Sequence, residues 1–161
     1  MDMSYEAKKA VERIDIADNI AFVTIAGLPN DITVLTSIFK AIADEKIILD
    51  MITKNVEYAN KMSVSFSLPG DDFIKIPTLL KSFKEKMPQI SISANTANTK
   101  VSVYGQGINS CSGVAADVFD VFSQCGVEMR IVTTSEVDIS VLIDESAEDE
   151  IMEKLKQKFN L

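Results

Sequence analysis

Apolar residues recur at every second position in short runs and at every third or fourth position in longer ones, and the two periods alternate along the chain. Val23-Thr24-Ile25-Ala26-Gly27 and Val101-Ser102-Val103-Tyr104-Gly105 are short alternating strands closed by glycine. A polar loop follows each, and then an amphipathic stretch. Val34, Ile38, Phe39 and Ile42 share one helical face after the first; Val114, Val118, Phe119 and Phe122 do so after the second. The spacing predicts two helices with these faces turned to a core.

The correspondence continues, so the chain contains an internal repeat. Residues 46–52 match residues 126–132, each a turn into a second strand. Val64-Ser65-Phe66-Ser67-Leu68 matches Ile139-Ser140-Val141-Leu142-Ile143 as a third strand. A second helical pattern then runs from Asp71 to Lys86, with Pro77 either kinking it or opening it, and from Ser146 to Phe159. Ser146 and Asp149 suggest a capping box, and Ile151, Met152, Leu155 and Phe159 an apolar stripe. Gln89–Ala94 alternates cleanly and supplies the first repeat with a fourth strand.

The second repeat ends after its helix without such a strand, while Val11–Ile16 alternates ahead of the first repeat and belongs to no unit there. The economical expectation is that this N-terminal strand completes the second unit, which otherwise keeps an unpaired edge. The fold class is then α+β. It consists of two interlocked ferredoxin-like βαββαβ units, each an antiparallel sheet with helices on one face. The units are 17–98 and 99–161 plus strand 11–16, and SANTANTK (93–100) reads as a short polar connection.

Charge and composition narrow the function. The net charge of −8 argues against nucleic-acid or anionic-membrane partners. No apolar run reaches the roughly 20 residues of a membrane span. The N-terminus has no signal-peptide core, and two unpatterned cysteines, Cys111 and Cys125, fit free thiols and a cytoplasmic protein. The sequence has no histidine, which removes Ser-His-Asp and Cys-His nucleophiles and most zinc sites. No catalytic residue and no metal ligand is assigned.

The loop after Tyr104 is the candidate for chemistry. Gly105 and Gly107 begin a dinucleotide fingerprint, but position 110 is serine and the first repeat has Leu28-Pro29-Asn30 instead. Cys111 stands before a helix, where a thiol is activated, yet it has no histidine partner and no counterpart in the repeat; packing explains it better. Two readings stay open for the loop. It presents backbone N–H groups to a carboxylate such as that of an amino acid, or it is a turn that needs glycine for its backbone.

These residues carry a family resemblance. The two-unit pattern is similar to a tandem pair of ACT domains, and in detail resembles the C-terminal regulatory region of aspartate kinases. The segment KVSVYGQGINSCSGVAADVFDVF, the run from Ile131 to Glu136 with Ile139–Asp144, and Leu49-Asp50-Met51-Ile52 with Asn55-Val56 carry it. It covers about residues 11–161. Cys111-Ser112 stands where the family has His-Pro, and Lys54 where it has glutamine.

The resemblance implies binding of an end-product amino acid, lysine and/or threonine, at ACT interfaces for feedback control of aspartate-family biosynthesis. The implied effector residues are Asn30, Thr33, Val34, Leu35, Lys54 and Asn55 in the first unit, and Ser110, Gly113, Val114, Ala115, Ser135 and Glu136 in the second. It further implies a homodimer through ACT units and a kinase catalytic domain as partner. ATP and Mg belong to that domain, and this chain holds no cofactor. The chain is then a piece of a longer enzyme or a separately made subunit. The alternatives are a stand-alone amino-acid sensor and a ligand-free dimerisation module.

Overall fold

The structure, a computed structural model, describes residues 3–161, with side chains from Glu6 onward except that of residue 8. The chain forms two compact units. The central unit is Asn19–Ala97; the composite unit joins the N-terminal segment ending at Asp18 to Asn98–Leu161.

Two long strands pass between them. β1 runs Arg13–Pro29 and β4 runs Ser91–Tyr104. The strands expected at 11–16 and 23–27 are one strand, beginning at Arg13 and not at Val11, and the polar stretch 93–100 is strand, not connector. Asn98 and Thr99 within it are fully buried, because β4 pairs there with β6 (Asp138–Asp144), Asn98 opposite Asp144 and Thr99 opposite Ile143. Where the strands pass from one unit to the other, Asn19 and Ala97 adopt left-handed φ of 55° and 60°. Asparagine tolerates this region; alanine is held there against its preference.

In the central unit the strand order is β2-β3-β1-β4, with β2 Ile52–Glu57 and β3 Lys61–Pro69. β1 and β2 both pair antiparallel to β3. Alternation puts Val23, Ile25, Val64 and Phe66 on one face. Helix α2 (Ile32–Asp44) lays Ile38 and Ile42 on that face, and α3 (Ile76–Lys86) lays Ile76 and Phe83. Pro77 stands in the first turn of α3, so it opens the helix and does not kink it; residues 70–75 form a 3-10 turn ahead of it.

The composite unit repeats the plan in the order β1-β4-β6-β5, with β5 Ile131–Thr134. Val101, Val103, Ile139, Val141 and Ile143 meet α4 (Val114–Cys125) and α5 (Glu148–Phe159). Phe119 is not in this core. It is 43% exposed, and Val121 is buried instead. The helix starts at Glu148 without a side-chain cap, so Ser146 forms no capping box; Asp144 instead caps the 3-10 turn 145–147 ahead of it, accepting from the Ser146 N–H at 3.0 Å and from its hydroxyl at 2.6 Å. These two bonds, aided by Arg130, hold the Asp144 carboxyl below the usual range.

A helix the periodicity did not foretell, α1 (Met3–Ala10), packs on α4 and α5 and buries Ala7 and Ala10 with Val11 in the same core. The uncovered faces of the two sheets confirm the repeat. Thr24 and Ser65 hydroxyls meet at 2.8 Å in one unit, and Ser102 and Ser140, their counterparts in the repeat, at 2.8 Å in the other.

One polar cluster links sheet and helix in the composite unit. The Thr99 hydroxyl lies 3.0 Å from Glu148 Oε2 and 3.3 Å from Asp18 Oδ1, and its single proton serves one of them. Burial, and then the neighbouring Asp18, push the Glu148 carboxyl up, against the opposing effect of the Thr99 hydrogen bond. The folded chain therefore binds more protons than the unfolded one between the ordinary glutamate value and the raised one. Stability falls as pH rises through that window and levels off above it. Glu148→Gln is expected to raise the melting temperature relative to the parent chain at pH 7, with the difference shrinking at pH 4. Thermal melts at the two pH values check this, and an equal difference at both rejects it.

Candidate functional site

The repeat places two equivalent helix starts above two sheets, and they are chemically unlike. In the central unit α2 is capped by Asp31, in extended conformation with φ −134°. Its carboxylate accepts from the Thr33 N–H and the Thr33 hydroxyl, both at 2.7 Å, and these bonds hold it below the usual carboxylate range. The protein's own anion thus occupies the positive end of this helix.

In the composite unit α4 begins at Gly113, whose φ of 97° is open to glycine and strained for other residues. No side chain caps this start. The first N–H groups of a helix have no partner within it, and here they open on a cleft of about 370 Å³. Gly113, Val114 and Ala115 form one wall; Thr134, Ser135 and Glu136, at the end of β5, face them. Ile108, Cys111 and Ile139 supply apolar surface, and Asn109 a side-chain amide.

The hairpin carrying Ser135 and Glu136 is tied down from within. The Ser135 hydroxyl donates to Asp138 Oδ1 at 2.5 Å and accepts from the N–H groups of Val137 and Asp138 at 3.2 Å. Glu136 at its tip is exposed. The arrangement offers donors for a carboxylate on one wall and a carboxylate for an ammonium group on the other. That is the polarity of a free α-amino acid.

Of the residues singled out from the sequence, Gly113, Val114, Ala115, Ser135 and Glu136 meet in this cleft. Ser110 lies outside it, lining a separate hollow against α1. Asn109 and Thr134 were missed, although they adjoin named residues. In the central unit the grouping is looser. A hollow of about 340 Å³ beside α2 is lined by Ile32, Thr33, Thr36, Ser37 and Lys40, and only Thr33 was anticipated. Asn30 is held by its N–H, which donates to the Asn60 carbonyl at 3.0 Å. Val34 and Leu35 pack partly into the core. Lys54 and Asn55 are exposed on β2, the outermost strand of its unit.

The opening glycines have a different use from Gly113. A Cβ on Gly105 would stand 1.8 Å from the Ala10 carbonyl oxygen, so Gly105 is required by close packing of the N-terminal segment. Neither Gly105 nor Gly107 has the left-handed φ of a turn that needs glycine for its backbone; both are small because Ala10 packs on them, and the left-handed glycine of the loop is Gly113. Neither cysteine is in a disulfide. Cys125 is half-buried, and burial raises its thiol pKa.

The ACT domain family matches residues 101–159. Aspartokinase from Bacillus sp. (strain MGA3) is 33% identical over 160 residues, 99% of this chain and 39% of that protein. Aspartokinase 2 from Bacillus subtilis (strain 168) is 31% identical over 160 residues, again 99% and 39%. The chain thus spans about two fifths of the length of these curated relatives. Among solved structures, a chain of aspartokinase alpha and beta subunits superposes with a TM-score of 0.86 at 32% identity, covering 94% of this chain and 100% of that one. The ligand-free regulatory subunit of aspartate kinase from Thermus thermophilus shares the fold, with a TM-score of 0.84, 24% identity, and coverage of 94% and 99%. This chain belongs to the aspartokinase family, as its regulatory ACT-domain part.

Proposed function

We propose that the chain is the effector-sensing part of an aspartate kinase and binds an end-product amino acid, lysine or threonine, in the cleft at the start of α4. The observation that carries this reading is the pairing of an uncapped helix start with Glu136 across the cleft. The ligand carboxylate takes the free N–H groups of Val114 and Ala115, and its ammonium group meets Glu136. At α2 an incoming carboxylate would meet Asp31 already in place, so the central unit is the poorer receptor.

The reading includes a homodimer. Ile52 and Val56 on the outermost strand β2, and Tyr58 just beyond it, are 49%, 66% and 96% exposed. An outermost strand that exposes Ile52 and Val56, with Lys54 between them, is a surface for a second copy. Binding in the α4 cleft shifts the population of subunit arrangements, and through it a kinase catalytic domain that uses ATP and Mg to phosphorylate aspartate. No described helix is long and apolar enough to cross a membrane; a cytoplasmic setting belongs to the proposal.

Calorimetric titration of the chain with lysine and with threonine tests it. Binding of one of them is expected, weakened about tenfold or more by Glu136→Gln, the loss of one charge-assisted contact of about 1.5–3 kcal/mol. Asn30→Ala and Asn55→Ala are expected to leave it within about threefold, under 1 kcal/mol. The opposite ranking moves the site to the central unit. If neither amino acid binds, the chain is a dimerisation module.

A further inference from the structure

We infer that residues 105–111 are a shared wall through which the docking of α1 and the filling of the α4 cleft are coupled, so that each changes the other. This goes beyond effector binding and does not depend on which ligand enters.

One side of the wall is built against the N-terminal segment. Beyond the contact at Gly105, a Cβ on Gly107 would lie 3.1 Å from Ala10 Cα. The Glu12 N–H donates to the Tyr104 carbonyl at 2.8 Å, and the Gln106 N–H donates to Glu12 Oε1 at 3.0 Å. A second hollow, also of about 370 Å³, lies between Glu6, Lys9 and Ala10 of α1 and Gly107, Ser110 and Cys111 of the loop. The other side is built against the cleft. The Gly105 N–H donates to the Val137 carbonyl at 2.8 Å, next to Glu136 of the cleft. Cys111 stands on the walls of both hollows.

Helix α1 is suited to two states. Its helicity rests on burying Ala7, Ala10 and Val11, which are 1%, 6% and 4% exposed. It is docked and helical or released and unwound. The wall and Ala10 approach one another at Gly105 and Gly107 more closely than a side chain there would allow, so a shift of the wall bears on the seat of α1. By linkage the effect runs equally in both directions.

Hydrogen exchange of the whole chain, without any ligand, tests both directions. Cys111→Phe adds bulk at the shared wall, and exchange of the α1 amides at residues 6–10 is expected to accelerate about tenfold or more. In reverse, Ala7→Glu, and separately the milder Glu12→Ala, are expected to accelerate exchange at residues 105–113 and 135–137 while residues 19–97 keep their rates. Unchanged α1 exchange in Cys111→Phe overturns the coupling, as does unchanged loop exchange in both N-terminal variants. Uniform acceleration through Val118, Phe122 and Val141 also overturns it, since that reports general loosening. Because no effector is used, failure here is distinct from failure of effector binding.

Discussion

Phe66→Ala is expected to destabilise the central unit by about 3–5 kcal/mol, the range for deleting a large aromatic side chain from a packed interior. Phe66 lies on β3 at 0% exposure, on the face covered by α2 and α3. Its ring meets that of Phe39 edge-on, with centroids 6.1 Å apart and planes at 66°, a geometry that adds to the value of area burial. The loss is large against a total of about 5–15 kcal/mol for a domain. The repeat supplies the control. Phe119 holds the place of Phe39 in the second copy, yet it is 43% exposed, and Phe119→Ala is expected to cost within about 0.5 kcal/mol. Urea unfolding of both variants, followed by exchange of residues 19–97 for Phe66→Ala and of residues 98–161 for Phe119→Ala, measures the difference. A loss below about 2 kcal/mol for Phe66→Ala, or equal losses for the two, would mean that the central core is not closed around this ring.

That contrast shows what periodicity can and cannot reveal. It identifies the face of a helix but not the width of the surface the helix covers, so Phe119 was grouped with Phe122 although only the latter is buried. The extent of the strands was also illegible. Asn95, Thr96, Asn98 and Thr99 have the residue types of a loop, and nothing local says that β6 pairs beside two of them. Helix α1 escaped notice because its eight residues carry too short a pattern to stand out, and its helicity derives from packing.

The cleft was legible where the repeat and the family resemblance agreed. Gly113, Val114, Ala115, Ser135 and Glu136 lie on one cleft because a helix start and a strand end are adjacent in every unit of this plan. The resemblance did not disclose that Asp31 occupies the matching position in the other unit. Asp31 and Thr33 form a local side-chain cap, and the sequence shows Asp-Ile-Thr without showing which way the carboxylate turns. Lys54 and Asn55, taken from the same resemblance, are exposed on an outer strand and do not line the hollow beside α2.

Gly105→Ala should have the largest effect of any single added methyl group near the cleft. The new carbon would stand 1.8 Å from the Ala10 carbonyl oxygen, 2.8 Å from its carbon and 3.0 Å from Val11 Cα. All three are backbone atoms, so no side-chain rotation relieves the overlap, and residues 10–11 must move away. Overpacking of this kind costs about 1–3 kcal/mol. Release of Ala10 and Val11 from the core adds to that, since both are buried against α4 and the sheet. Gly126→Ala separates this steric cost from backbone strain. Gly126 has φ 65° and nothing within 4 Å of an added Cβ, so alanine there carries only the left-handed penalty of about 1–2 kcal/mol. Gly107→Ala, at 3.1 Å, should fall below Gly105→Ala. Urea midpoints for the three variants test the order, with the unfolding slope as a further sign: a chain that has already released residues 3–11 exposes less new surface and unfolds with a smaller slope. If Gly105→Ala proves no more costly than Gly126→Ala, the N-terminal segment does not press on the glycine. The packing of residues 10–11 against the β4 end would then have to be redrawn.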